Sequence, residues 1–141
     1  PRHRPPVHEG RVARVSSTME GVGALVAALN RVRASFDKQG VEGVVMAACV
    51  PTAEHIASLA PVKTGALRDS IAARPIDSPG EVVTVGIGPS REIFYAGFVE
   101  FGTARTPAQP FMRPGFDEDQ PALVARLKRG FGDLIKEGAA A

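Results

Sequence analysis

Tryptophan is absent from the sequence, and tyrosine and cysteine occur once each in 141 residues. The single cysteine, Cys49, excludes an intrachain disulfide and a zinc site made of several cysteines, and we expect it to be a small buried residue on a helix. No apolar run approaches the roughly 20 residues that a membrane-spanning helix needs. The N-terminus also lacks the apolar segment of a signal peptide. The sequence therefore predicts neither a membrane protein nor a secreted one.

Charge is nearly balanced over the whole chain, with a formal net charge of +2, but it is uneven at the start. Residues 1–11 are rich in proline and arginine and poor in large apolar side chains, which predicts a flexible basic arm. The candidate residues for docking this region to DNA or to a partner protein are Arg2, Arg4, Arg11 and Arg14. A solvated tail without a binding role is the alternative.

Two helices are predicted after this arm, because apolar residues recur there at intervals of three and four. The first covers Glu20 to Phe36, and the second covers Val41 to Leu59. Pro51 predicts that the second helix bends or divides near Val50. The apolar residues of the first helix that are predicted to face the core are Val22, Leu25, Val26, Leu29, Val32 and Phe36.

The middle of the chain has the composition of strands and turns. Residues 70–76 and 81–87 are candidate strands, and they are joined by four turn formers at 77–80, which predicts a hairpin. Two further strands are predicted at 11–19 and 94–101, where apolar and β-branched residues alternate with others.

The last predicted element is an amphipathic helix from Asp117 to Glu137, with acidic residues at its positive N-terminal end. Together these elements predict an α+β fold, in which an antiparallel sheet of about four strands carries two to three helices packed on one face. A single domain is expected over residues 12–137. A frayed tail is expected at 138–141.

Groups that could carry catalysis do not converge in this sequence. Ser70 has no nucleophile motif around it, and Asp69 beside it would point to the opposite side of an extended chain. His55 is favoured as a packed or partly exposed side chain, because it lacks the second histidine of an HExxH zinc motif. Gly86 and Gly88 follow a predicted strand but lack the third glycine and the helix of a nucleotide-binding loop. We therefore predict no enzymatic activity, no metal site and no cofactor.

The most distinctive segment is Tyr95 to Asp117, where a predicted strand leads into a loop with three prolines. Prolines stiffen such a loop and hold its apolar side chains in place, which suits an interface. The predicted residues of a subunit or ring interface are Phe98, Glu100, Phe101, Thr103, Arg105, Phe111, Met112 and Arg113. The alternative is that Phe111 and Phe116 fold back to cover the sheet edge, and the residues alone leave both interpretations open.

Three motifs, in the same order along the chain, resemble those of a phage family. They are APVKTGALRDSI at 60–71, YAGFVEFGT at 95–103 and QPFMRP at 109–114. They resemble the signatures A-P-x-x-T-G-x-L-x-x-S-I, Y-A-x-x-V-E-F-G-T and Q-P-F-hydrophobic-R-P of the tail-component family named for gene product ten of the lambdoid phage Hong Kong 97. The resemblance covers roughly Gly21 to Ile135. Members of this family are similar to minor tail proteins of the lambda Z type, and are neck or tail-completion proteins of long-tailed phages.

The resemblance implies a non-enzymatic structural protein of the virion, assembled in the host cytoplasm and located in the neck or tail. It implies a homo-oligomeric ring, with six copies expected, between the head-closure (stopper) proteins and the tail terminator or tail tube. Packaged DNA would pass through the lumen of this ring, and its contacts should be weak, salt-sensitive and independent of sequence. A tail terminator that caps growth of the tail tube is the alternative within this class.

A free nucleic-acid-binding protein that uses the basic arm is a more distant alternative. It is disfavoured because aromatic side chains that could stack on bases are scarce, with one tyrosine and no tryptophan. A hydrolase is more distant still, since it would require turnover that depends on Ser70 or His55.

Overall fold

The computed structural model describes residues 21–141, so the predicted strand at 11–19 and the basic arm lie outside the described residues. Residues 21–141 form five helices and one two-stranded sheet. In chain order the elements are α1 (Val22–Ser35), α2 (Lys38–Leu59), α3 (Ala66–Ser70), β1 (Ala72–Ile76), β2 (Thr84–Gly88), α4 (Ala96–Phe101) and α5 (Met112–Ala140). No helix in this range combines the length and the apolarity that are needed to cross a membrane.

The antiparallel pair of helices α2 and α5 forms the centre of the domain. Gly115, near the start of α5, lies against Ile56 near the end of α2, whereas Gly130 lies against Val44 near the start of α2. A Cβ atom at Gly115 would be 3.0 Å from the Ile56 Cα, and one at Gly130 would be 2.7 Å from the Val44 Cγ1. Both glycines are therefore needed for the helices to approach this closely.

Alanine substitutions at two glycines of α5 are expected to change stability in opposite directions. At Gly115 the new Cβ meets the backbone of Ile56, so the free energy of unfolding should fall by about 1–3 kcal/mol. At Gly132 nothing lies within 4 Å of the new Cβ. The higher helix propensity of alanine should therefore raise the free energy of unfolding there by about 0.5–1 kcal/mol. Urea denaturation measures both, and a stabilised Gly115→Ala variant would contradict the close packing of α5 on α2.

Helix α1 packs antiparallel on the second half of α5. Phe36, just after α1, stacks on Phe131 with ring centroids 6.1 Å apart. A Cβ atom at Gly138 would lie 2.9 Å from the Val32 Cα. The two helices therefore run in opposite directions. Since α5 ends at Ala140, the first two turns of α1 extend beyond its last residue.

The prediction that the apolar stripe of α1 faces the core is wrong for its first four residues, whereas Val32 and Phe36 do pack against α5. No residue of α1 is buried, although its second half does contact α5. The physical reason is that the first two turns extend past α5 and have little of the described chain to pack against. The large side chains left exposed are Val22, Leu25, Val26 and Leu29.

Helix α2 is a single helix from Lys38 to Leu59, so of the two expected effects of Pro51, a bend or a division, the division does not occur. Its buried face includes Ala48 and Thr52 on either side of the proline, and both contact α5 through Arg126. Packing and hydrogen bonds that span the proline therefore hold the helix together despite the missing backbone donor.

The sheet has two strands in the described residues, and the prediction of about four strands is wrong in number, although the α+β class is correct. Strands β1 and β2 form the predicted antiparallel hairpin, with Ala72 opposite Gly88 and Ile76 opposite Thr84. The segment predicted as a strand at 94–101 forms helix α4 instead. A short apolar run fits either element, because its periodicity alone does not separate a strand from one or two helical turns.

The core consists of two adjoining groups of buried side chains. The larger group joins α2, α3, α4 and the start of α5 through Ile56, Ala60, Leu67, Ile71, Ala96 and Phe111. The smaller group joins α2 to α5 through Ala48, Cys49 and Leu123. Cys49 is buried on a helix, as predicted, and burial raises the pKa of its thiol despite the nearby Arg126 charge.

Candidate functional site

The candidate site is an exposed aromatic surface on α4 and the turn before it. Phe94 is 80% exposed, Phe98 is 57% exposed and Phe101 is 83% exposed. We call these three residues the α4 surface. Single exposed apolar side chains are common in proteins, but these three phenylalanines fall within eight residues of the chain, and concentrations of exposed apolar side chains mark interaction sites.

Two apolar grooves flank α4. Groove 1, of about 330 Å³, is lined by Pro61, Leu67, Tyr95, Phe98, Val99 and Pro107, among others. Groove 2, of about 670 Å³, is lined mainly by Val85, Ile87, Phe101, Phe111, Met112 and Phe116. Grooves of this volume accept several apolar side chains. The exposed phenylalanine side chains of the α4 surface therefore lie beside cavities that could accept side chains of a partner.

Glu100 connects α4 to the start of α5. One carboxylate oxygen, Oε2, accepts hydrogen bonds from the backbone N–H groups of Phe111 at 2.7 Å and Met112 at 3.0 Å. The other, Oε1, accepts one from the N–H of Arg113 at 3.1 Å. These donors belong to the N-cap residue and the first turn of α5, where backbone N–H groups have no partner within the helix. Glu100 therefore caps α5, and a negative charge at this helix end is favourable.

This cap explains why α5 begins at Met112 and not at Asp117, as the sequence predicted. The backbone donors around Met112 are satisfied by Glu100, and Pro114 is tolerated in the first turn because its missing N–H is not required there. Burial alone would raise the pKa of Glu100. The three backbone N–H groups and the Arg113 charge outweigh burial and hold this pKa below its usual value.

The loop between α4 and α5 returns to α4 through backbone hydrogen bonds. The N–H of Gln109 donates to the Val99 carbonyl at 2.8 Å, and the N–H of Thr103 donates to the Thr106 carbonyl at 2.8 Å. Gly102 has a φ of 75°, a conformation that glycine adopts without strain. A Cβ atom there would also lie 2.7 Å from the Ala108 nitrogen. The loop is therefore fixed against the helix that carries the exposed rings.

The structure divides the eight predicted interface residues into two groups. Phe111 is fully buried in the larger core group, so its prediction as an exposed anchor is wrong and the folded-back alternative describes its position. Met112 is partly buried beside it, and the Glu100 carboxylate is occupied by the helix cap. The residues exposed to a partner are Phe98, Phe101, Thr103, Arg105 and Arg113. The candidate arm residues Arg2, Arg4, Arg11 and Arg14 lie outside the described residues.

A partly buried polar network, which the sequence analysis missed, joins α2 to α5. Arg126 donates from Nε to the Ala48 carbonyl at 3.0 Å and from Nη2 to the Thr52 hydroxyl at 2.8 Å. Its Nη2 also pairs with the Asp119 carboxylate, which accepts a 2.6 Å hydrogen bond from Thr52. Burial would raise the pKa of Asp119, but the hydrogen bonds from Arg126 and Thr52 outweigh it and lower this pKa. The acid therefore pairs with Arg126, and the predicted role at a helix start is wrong for Asp119.

The residues considered for catalysis do not assemble into a site. The Ser70 hydroxyl donates to the Leu67 carbonyl, and Asp69 pairs with Arg68. His55 is partly exposed, as predicted, and contacts the Glu118 carboxylate at 2.9 Å. Within residues 21–141 no group of three or more histidine, cysteine or acidic side chains is arranged to hold a metal ion.

Fold and surface together define a helical α+β domain whose distinctive feature is a group of exposed phenylalanines on and beside α4. Residues 23–102 match the family described as "Bacteriophage HK97-gp10, putative tail-component". This match covers more than half of the chain, and the chain belongs to that family. It is thus a structural component of the phage tail by class, and the matched region includes the α4 surface. No curated protein and no solved structure matches the chain.

Proposed function

We propose that the protein forms a ring in the head-to-tail connector, or neck, of a long-tailed bacteriophage, where it completes the tail and joins it to the DNA-filled head. The observation that carries the proposal is the exposed α4 surface on a chain of the tail-component family. Phe98 and Phe101 lie on a short helix that the Glu100 cap ties to α5, so the backbone that carries them is held in place before any partner binds. A contact surface that is ordered in advance loses little entropy on assembly.

A ring is the form of assembly that we propose for these contacts. In a ring each subunit offers one patch to the preceding neighbour and a different patch to the next, and the contact closes by rotation. We propose six copies, with head-closure or stopper proteins on one side and the tail terminator or tail tube on the other. Packaged DNA would pass through the lumen, and Arg2, Arg4, Arg11 and Arg14 would supply weak contacts that are independent of sequence.

Loss of the protein from infected cells is expected to separate heads from tails. If the gene is silenced in its phage, electron microscopy should show DNA-filled heads beside detached tails of normal length. The same host and phage with a silenced gene that does not contribute to the virion is the control. Overlong tails would assign the protein to the terminator role instead. Joined, infectious particles would contradict a role in the neck.

A further inference from the structure

A second exposed apolar surface lies on α1. Its residues Val22, Leu25, Val26 and Leu29 are between 43% and 59% exposed. Their spacing is i, i+3, i+4 and i+7, which places all four side chains along one side of the helix. We call them the α1 stripe. Helices that bind in the groove of a partner use this spacing, as do helices that face their own core.

The α1 stripe and the α4 surface lie at opposite ends of α5. Glu100 contacts the backbone at 111–113, whereas Gly138 contacts Val32 of α1. About 26 helical residues separate these two contacts, or roughly 39 Å at 1.5 Å per residue. The first two turns of α1 extend still further from α4. The stripe of one chain therefore does not reach the α4 surface of that chain.

We propose that the α1 stripe of one copy binds in groove 2 beside the α4 surface of the next copy. The occupant is a second copy because each chain carries both halves of this contact, a helical apolar stripe at one end and an apolar groove at the other. Their polarity also matches. Residues 22–29 contain no charged side chain. Two charged residues line groove 2: the Glu100 carboxylate is already occupied by the α5 cap, and Arg113 is exposed to solvent.

Such a contact uses two different patches, so it is heterologous and propagates from copy to copy until it closes. The closure of this contact into a circle rests on the proposed ring. The new inference is which two surfaces of neighbouring copies meet. Phe101 and Phe116, both exposed at the walls of groove 2, would be covered together with Leu25 and Leu29 of the neighbour. One repeated contact would therefore remove the α1 stripe and the exposed side chains of groove 2 from water together.

Cysteine cross-linking between copies tests this contact directly. Cys49 is the only cysteine, so a Cys49→Ala variant gives a background without thiols. In that background, Leu25→Cys and Phe101→Cys are prepared separately, mixed at high concentration and treated with a short bis-maleimide. The expected product is a dimer that forms in the mixture and not with either variant alone. Val124→Cys, which is on α5 outside both surfaces and is 41% exposed, replaces one partner as the control and should give no such dimer.

Self-association gives a second measurement that does not depend on cross-linking. We expect the unmodified chain to sediment as an oligomer at high concentration. A Leu25→Ser/Leu29→Ser variant should lose that oligomer, both in solution and in purified particles, whereas Val124→Ser should keep it. Circular dichroism confirms that each variant is folded.

Three results would overturn the proposed contact. A dimer formed by Leu25→Cys alone would show that α1 pairs with α1. A Leu25→Cys thiol that does not react in the monomer would show that the chain itself covers the stripe. The absence of the mixed dimer both in solution and in particles assembled from the two variants would show that the surfaces do not meet. If heads and tails join normally without the gene, the neck function fails while the mixed dimer still tests the contact.

Discussion

Replacement of Phe111 by alanine is expected to lower the free energy of unfolding by about 3–5 kcal/mol, the range for loss of a phenylalanine from a core. The Phe111 side chain is 0% exposed and packs among Ile56, Leu67 and Ile71 in the larger core group. A loss of this size is a large part of the roughly 5–15 kcal/mol that stabilises a typical domain. Urea denaturation followed by circular dichroism should show a much lower midpoint than that of the unmodified protein.

Phe101 provides the matched control for this prediction. It is the same residue type, ten positions earlier, but it is 83% exposed. Phe101→Ala should change the free energy of unfolding by no more than about 0.5 kcal/mol, as is usual for surface positions, while it weakens assembly. Equal destabilisation by the two substitutions would mean that Phe101 is also part of the fold, and the α4 surface would then not be free to bind a partner.

The helices could be predicted from the sequence because each has a stripe of apolar residues at helical spacing. What covers a stripe could not be predicted in the same way. For α1 the periodicity correctly indicated a helix, yet Leu25 and Leu29 face solvent because α5 ends before it reaches them. A periodic pattern shows that one side of a helix is apolar, and it does not show whether the same chain or another one buries that side.

The exposed phenylalanines lie in the segment that the sequence predicted for an interface, but the positions of its other residues depend on contacts that sequence spacing does not reveal. Phe98 follows a glycine and Phe111 follows a proline, and neither neighbour indicates burial. Only the fold shows that the Phe98 side chain is exposed and the Phe111 side chain is buried. Glu100 looked like an interface carboxylate. Its actual partners are backbone N–H groups eleven to thirteen residues later, which become available only because a helix begins there.

The contact between Asp119 and Arg126 had a signal that was available in the sequence. The two residues are seven apart, so they lie on the same side of a helix two turns from each other. The third partner, Thr52, lies on α2, 67 positions before Asp119, and no local pattern indicates it. The network that ties the two central helices together could therefore be predicted only in part.

Replacement of Arg126 by methionine is expected to lower the free energy of unfolding by about 2–3 kcal/mol. The substitution leaves the Asp119 carboxylate, whose side chain is 14% exposed, without its charged partner, and removal of one member of a largely buried pair is strongly destabilising. The Ala48 carbonyl also loses the hydrogen bond from Arg126 Nε. Urea denaturation at pH 7 measures the effect.

An exposed ion pair on the same helix serves as the control. Lys136 lies 3.8 Å from Asp133, and both side chains are more than half exposed, so Lys136→Met should cost no more than about 0.5 kcal/mol. An Arg126→Met/Asp119→Ala double variant should be more stable than the sum of the two single changes predicts, because it removes the unpaired charge. Additive effects would contradict a direct interaction between the two side chains.

The pH dependence of the Arg126→Met variant tests the cause of the lowered Asp119 pKa. Because this pKa is lower in the folded protein than in the unfolded chain, the carboxylate stabilises the fold above its unfolded pKa of about 3.9. That stabilisation is lost as the pH falls through the folded pKa. Without Arg126, the effect of burial on the Asp119 pKa is less compensated, so this pKa should be higher in the folded variant than in the folded unmodified protein. The variant should therefore lose less stability between pH 7 and pH 3 than the unmodified protein does. Glu100 titrates in both proteins and cancels from the comparison. Equal losses would show that Arg126 does not hold the Asp119 pKa down.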